Sequence, residues 1–190
     1  MDKPYIEHQI FDKIDYTIIP LPKGNYEHCT FINCNFSNSD LSMRVFTACE
    51  FKGCNLSMAK LGKTVLSDTV FKDCKLLGLV FENCNDFLFS ISVDNCILNV
   101  SSFYKMNLKK TSFKNSSLQE VDFTESNLTG ALFDNCNLMR ALFKNTIIEK
   151  ADFRTAYNYS IYPELNRLKK AKFSAAGIVG LLDKYDIDIS

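Results

Sequence analysis

A large apolar residue returns every five positions from Phe103 to Phe153: Phe103, Leu108, Phe113, Leu118, Phe123, Leu128, Phe133, Leu138, Phe143, Ile148 and Phe153. The residue two before each is mostly small or sulfur-bearing, as at Ser101, Thr111, Ser116, Ser126, Ala131, Cys136, Ala141, Thr146 and Ala151. A helix repeats near 3.6 and a strand at 2, so a sustained period of five belongs to a repeat architecture. The pattern predicts a solenoid. Four five-residue sides make a coil of about 20 residues, and successive coils stack at the inter-strand spacing of about 4.8 Å. The large residue and the small one two before it point inward. The other three face water, and there the chain places Lys114, Asn115, Glu125, Asn127, Asp134, Asn135, Lys144 and Asn145. Such units bury apolar surface only against their neighbours, so stability is nearly one-dimensional and the ends need covers.

The same beat runs earlier, from Tyr26 through Phe31, Phe36, Leu41, Phe46, Phe51, Leu56, Leu61, Leu66, Phe71 and Leu76 to Phe81. Then the phase slips. The next in-register residues are Leu88, Val93 and Leu98, which implies a two-residue bulge near 83–87. This spacing turns Leu88 inward and sets Phe87 and Phe89 on either side of it, either tucked against the coil or offered to a partner. Arg44 and Met106 stand where a small residue belongs. A buried unpaired guanidinium costs several kcal/mol, so Arg44 is expected to snorkel outward at a widened corner.

Residues 1–25 read as an N-terminal cap. Tyr5, Ile6, Ile10, Phe11 and Ile14 suit one face of a short amphipathic segment, and Pro20, Pro22 and Gly24 punctuate the approach to the first coil. Residues 26–156 form the repeat body. After Phe153 a loop over 157–170 stands in for most of a coil, and the beat returns at Phe173. Ser174 then reads as the N-cap of a helix with Ile178, Leu181, Leu182 and Tyr185 on one face, and 186–189 alternate like a short strand. A capping helix with surplus apolar surface suits a two-fold partner, so these four residues are the expected dimer interface.

All eight cysteines share the phase of the position two before the centres, namely Cys29, Cys34, Cys49, Cys54, Cys74 and Cys84 in the first half and Cys96 and Cys136 after the slip. They read as a buried ladder of small hydrophobes. Zinc favours close C-x-x-C pairs, which are missing. Stacked rungs bring some pairs within disulfide range, but a cytoplasmic setting, the default for this chain, keeps thiols reduced.

Composition narrows the function more by exclusion. Lys plus Arg equals Asp plus Glu at 22 each, so no gross charge points to nucleic acid or an anionic membrane. There is no apolar run long enough to span a bilayer, and Met1 to Pro4 lacks a leader's basic start. Only His8 and His28 are available, and no nucleotide-binding or H-E-x-x-H motif occurs. The expectation is a protein without catalytic residues, cofactor or metal. The distinctive surface residues are Phe87, Phe89, Tyr157, Tyr159, Tyr162 and Arg167, taken as candidate partner contacts.

Ala151-Asp152-Phe153 and Ser126-Asn127-Leu128 closely resemble the unit of the pentapeptide repeat family. That resemblance implies an all-β solenoid, a right-handed quadrilateral β-helix. The segment Ile161-Tyr162-Pro163-Glu164-Leu165-Asn166-Arg167 and the tail through Tyr185 look like the ending of the family's topoisomerase-protecting branch, which includes quinolone-resistance (Qnr) proteins and a microcin immunity protein. For this chain it implies a rod, dimeric through its C-terminal module, that engages DNA gyrase or topoisomerase IV. A mimic of duplex DNA needs a dense acidic surface, whereas 26–153 carries 14 carboxylates against 13 cations. The alternative is a general interaction scaffold.

Overall fold

The structure is a computed structural model that describes residues 4–188; of the sequence readings, those that fall on Met1 to Lys3 and the end of the expected terminal strand at Ile189 lie outside them. Short extended segments pair in parallel with segments one coil later. On one side of the coil β1 (Tyr5–Glu7), β3 (Asn25–Glu27), β5 (Val45–Thr47) and β7 (Val65–Ser67) form a four-stranded sheet. On the next side β2 (Ile10–Asp12), β4 (Thr30–Ile32), β6 (Glu50–Lys52), β8 (Thr69–Lys72), β9 (Ile91–Asp94), β10 (Ser112–Lys114) and β11 (Leu132–Asp134) form a seven-stranded sheet. Asp152 and Lys172 extend that second side by two bridged rungs. The third and fourth sides are held by single bridges, such as Asn35 to Asn55 and Ser102 to Asp122.

The register decides everything above it. Tyr26 lies over Ile6 and Phe31 over Phe11, 20 residues apart, so like stands on like. Phe11, Phe31, Phe51 and Phe71 form one stack with ring centroids 4.8, 4.7 and 5.2 Å apart. Phe113, Phe133, Phe153 and Phe173 continue that side at 5.1, 4.7 and 5.3 Å, while Phe81, Phe103, Phe123 and Phe143 stack on another. Adjacent stacks meet edge to face, as Phe113 meets Phe123. Each such pair adds about 0.5–1.5 kcal/mol to simple burial.

Turning a corner every five residues requires a bend, and the bend recurs at one place. The second residue after most centres is left-handed: Asn38 at φ 56°, Met43 at 61°, Glu125 at 58° and Lys150 at 58° are typical. Where the amide of the next residue donates back to the centre's carbonyl, as Ser126 does to Phe123 at 3.1 Å, the corner is a type II turn.

At several levels the small inward side chain reaches the carbonyl of the centre below, 23 residues earlier. Thr64 Oγ1 donates to Leu41 O at 2.8 Å and Thr146 Oγ1 to Phe123 O at 2.9 Å. The thiols of Cys29, Cys49, Cys54 and Cys74 do the same to Ile6, Tyr26, Phe31 and Phe51 at 3.2–3.4 Å. All eight cysteines are free and buried, and among the described residues no group of three or more His, Cys, Asp or Glu is placed to hold a metal ion.

Four expectations need correction. Arg44 does not snorkel outward; it is 5% exposed. Its Nε donates to Leu21 O at 3.1 Å, Nη2 to the same oxygen and Nη1 to Ser42 O at 3.1 Å, so it serves the position 23 residues earlier as a threonine would. Burial holds its pKa below the usual arginine value. Residues 4–24 are not a separate cap but a coil in the same register, with β1 and β2 paired on β3 and β4. Leu88 does not point inward: it is 65% exposed with φ 64°, and Phe89 turns its ring toward Phe81 instead. The two-residue step is real, since Thr69 pairs with Ile91 and Lys75 with Ile97, 22 apart. Last, the C-terminal α-helix is two 3₁₀ segments, Ala176–Leu181 and Asp183–Tyr185, and 186–188 form no strand. The N-cap is Ala175, not Ser174, although the Ser174 hydroxyl accepts the Gly177 amide at 3.0 Å.

The carbonyl rule predicts an ordering among variants of Arg44. Arg44→Leu leaves Leu21 O buried and unpaired and should lower stability by about 1–3 kcal/mol, while Arg44→Thr, which restores the donor seen at Thr64, should lose less. Chemical denaturation of both checks this, and equal losses would refute the rule.

Burial also fixes the response to base. It pushes Tyr26 up to about 12 from 10.0 and Cys49, Cys84 and Cys136 up to about 12 from 9.0. The folded chain therefore keeps protons that the unfolded chain sheds, so stability falls as pH rises from about 9 to about 12. Thermal melts should be level from pH 6 to 8 and then drop; an unchanged melting temperature at pH 10.5 would refute the account.

Candidate interaction surfaces

The inward space of the coil is taken up by stacked side chains, so function falls to the outside. Two places on it depart from the regular ladder. The first is the insertion between Phe81 and Ile91. The ladder of the first side stops at β7: Asn85 N donates to Thr64 O and Ser90 N to Leu66 O, both at 2.8–2.9 Å, and the chain between them arches away. Asn85 Oδ1 accepts the Phe87 amide at 2.9 Å and Phe89 N donates to Asp86 O at 3.3 Å, which shapes the arch. The result is a knuckle. Phe87 is 73% exposed beside exposed Leu88, while Phe89 anchors the arch against the core. Of the two phenylalanines singled out in the sequence, only Phe87 is free to meet a partner.

The second departure follows Phe153. The loop expected to replace a coil keeps three sides of it: Tyr157 bridges Asn137, Arg167 bridges Ile147 and Lys172 bridges Asp152. Only the fourth side leaves the path, through the 3₁₀ turn Pro163–Leu165. Beside that detour lies an apolar groove of about 400 Å³ lined by Arg140, Leu142, Phe143, Tyr162 and Leu165, with Phe143 itself still buried.

Tyr159 is buried, not exposed as a contact residue should be; its ring lies between Phe153 and Phe173. The terminal 3₁₀ segment crosses over it. Ile161 N donates to Gly180 O at 2.8 Å, and a Cβ on Gly180 would stand 2.2 Å from Tyr159 O. Sequence reasoning read Tyr159 as one of a set of surface tyrosines and missed this packing role, although the nearby Gly177 and Gly180 are a signal of close approach. Tyr157 and Tyr162 do remain exposed. Arg167 is exposed and paired with Glu149 at 2.7 Å, and Lys184 ties the terminal turn to Glu164 with its ammonium 5.6 Å from the Tyr162 ring centre. Of the expected dimer residues, Ile178 and Tyr185 are exposed and Leu181 and Leu182 half-buried.

A chain built of four five-residue sides per level, filled by stacked rings and offering surfaces at a knuckle and one end, defines a class: a β-solenoid of pentapeptide repeats. Residues 88–157 match the profile described as "Pentapeptide repeat region" and residues 49–85 that of "Pentapeptide repeats (8 copies)". The chain belongs to the pentapeptide repeat family. Among solved structures it is similar to HetL, a pentapeptide repeat protein involved in heterocyst differentiation regulation from Nostoc sp. strain PCC 7120, at 14% identity and TM-score 0.57 over 91% of this chain and 89% of that one. It also matches QnrB1, a plasmid-mediated fluoroquinolone resistance protein, at 19% identity and TM-score 0.47 over 99% of this chain and 98% of that one. No curated protein matches the chain in sequence. No described helix is long and apolar enough to cross a membrane.

The overlap at Gly180 makes the end of the rod testable. Gly180→Ala forces its new methyl into Tyr159 O and should release the 3₁₀ segment, raising amide exchange across 176–185 while leaving the Phe103 to Phe153 core protected. Unchanged exchange in the tail would refute the packing described.

Proposed function

We propose that this protein is a non-catalytic, protein-binding rod of the cytoplasm whose partner is a bacterial type II topoisomerase, DNA gyrase or topoisomerase IV, and that binding protects the enzyme from a quinolone or a gyrase toxin. One observation carries the protein-binding part: the knuckle holds Phe87 73% exposed on a scaffold whose other phenylalanines are almost all buried. A large exposed apolar group held on an ordered arch is what a protein partner covers. The choice of partner rests on the likeness of the segment Ile161 to Arg167 and the tail to the topoisomerase-protecting branch. The same likeness supports two-fold association through Ile178, Leu181, Leu182 and Tyr185. A right-handed coil follows from that family likeness and from the hand that parallel crossovers favour.

An evenly balanced charge favours the second reading, a scaffold for another protein, over imitation of DNA. Supercoiling by gyrase with and without a fluoroquinolone separates them. Inhibition of supercoiling, or rescue from the drug, is expected at micromolar protein, and the effect should weaken with Phe87→Ala. No effect at large excess would overturn the topoisomerase reading. In parallel, Leu181→Asp with Leu182→Asp should yield monomers by sedimentation if the tail is the dimer interface; an unchanged sedimentation coefficient would overturn that.

A further inference from the structure

Cations and carboxylates balance at 22 each over the whole chain, but they do not balance on every part of its surface. On the first side the four levels above the knuckle are centred on Leu108, Leu128, Ile148 and Leu168, in register through the bridges of Asn107, Asn127, Ile147 and Arg167. The residue two after each centre forms a column along the edge with the second side: Lys110, Gly130, Lys150 and Lys170. Backbone hydrogen bonds fix that column. Lys110 N donates to Thr129 O, Gly130 N to Glu149 O and Lys150 N to Lys169 O, all at 2.8–3.0 Å. The four residues are left-handed, at φ 58–70°. One residue back runs a second column, Lys109, Thr129, Glu149 and Lys169.

Five of these eight residues are lysines, all are exposed, and none has a carboxylate partner among the described residues. The carboxylates around them are already engaged. Arg167 holds Glu149 at 2.7 Å, Arg154 holds Asp152 at 2.7 Å with Lys172 at 3.9 Å, and Lys105 holds Glu125 at 3.5 Å. Asp134, further out on the second side, accepts the Thr155 hydroxyl at 2.9 Å. Lys150 and Lys170 stand one level apart, about 4.8 Å, so like charges are concentrated where a polyanion would relieve them. Between the lower and upper lysines the surface is low: a Cβ on Gly130 would meet only Lys110 Cγ, at 3.7 Å.

We propose that this edge binds the phosphate backbone of duplex DNA without reading its sequence. From Lys110 to Lys170 the column covers three steps, about 14 Å, and over that length one strand of a duplex places about four phosphates. Lysine supplies the point charge that a phosphate oxygen takes up, and contacts of this kind position a duplex without specifying bases. The outward positions of these four levels hold no aromatic ring, so unpaired bases have nothing to stack on. Their one aliphatic side chain, Ile147, is half-buried, which leaves nothing to enter a bilayer. The inference concerns free DNA and does not depend on the topoisomerase reading.

The test uses the full-length protein and a labelled duplex of about 20 base pairs, read by fluorescence anisotropy. Binding is expected at micromolar protein in about 50 mM salt and should weaken about a hundredfold by about 200 mM, as the release of about four counterions requires. A variant with Lys110→Glu, Lys150→Glu and Lys170→Glu should lose about tenfold or more. It should fold, since Glu120 and Glu125 already stand at the left-handed corner position, and circular dichroism checks it. The milder set Lys110→Gln, Lys150→Gln and Lys170→Gln should fall between that variant and the wild type. A control with Lys13→Glu, Lys52→Glu and Lys72→Glu changes the net charge by as much as the first variant, on the lower levels of the second side, and should bind within about twofold of the wild type. No binding in about 50 mM salt, or an equal loss in the first variant and the control, overturns the proposal. Tighter binding of a single strand or of polyglutamate than of the duplex overturns the choice of partner.

Discussion

One residue in five must adopt a left-handed backbone, and the rest of the structure depends on that constraint. A chain of L-residues pays for φ > 0 at every non-glycine corner. Here the cost recurs at nearly every corner, at His28, Asn33, Met58, Lys110 and Arg140 among others. What offsets it is repetition. Because each corner bends the same way after the same number of residues, each level closes after 20 residues and lies on the one below, and backbone hydrogen bonds, ring stacks and carbonyl contacts all follow from that one registration. A single corner of the wrong length would put the levels above it out of phase unless the slip is absorbed locally, as it is between Phe81 and Ile91.

The inward small position does more than leave room for the neighbouring ring. Its side chain satisfies a carbonyl of the level below, which explains why serine, threonine and cysteine recur there beside alanine. Cysteine combines a small apolar body with a weak donor, so the eight thiols are structural in the same sense as the threonines. Arg44 shows that the donor at this place can come from a much larger side chain. Its guanidinium reaches Leu21 O from the side of an open cleft that also involves Tyr16 and Asp40.

Much of this was legible in the sequence, and the failures have physical causes. The five-residue beat fixed the faces, the burial of each Phe and Leu centre and the ladder of thiols, because period alone determines them. It also gave the size of the slip. It did not tell which ring turns inward there, since counting places Cα atoms on a path and an arch leaves that path; a left-handed backbone at Leu88 sends Phe89 in instead. The first coil was masked by its prolines, although Ile6, Phe11, Tyr16 and Leu21 keep the beat. In the tail the spacing of Ile178, Leu181, Leu182 and Tyr185 suits an α-helix, but Gly177 and Gly180 are weak helix formers and serve instead to let the backbone cross Tyr159.

The gap in the first side's ladder has a mechanical consequence. Along most of the rod each level is tied to the next by hydrogen bonds on all four sides, so a pull along the axis is shared among them. At the knuckle one side contributes fewer ties, and the load there falls on the remaining three. The molecule is therefore two stiff blocks with a weaker seam between them, and a force applied to its ends concentrates at the place where Phe87 is displayed.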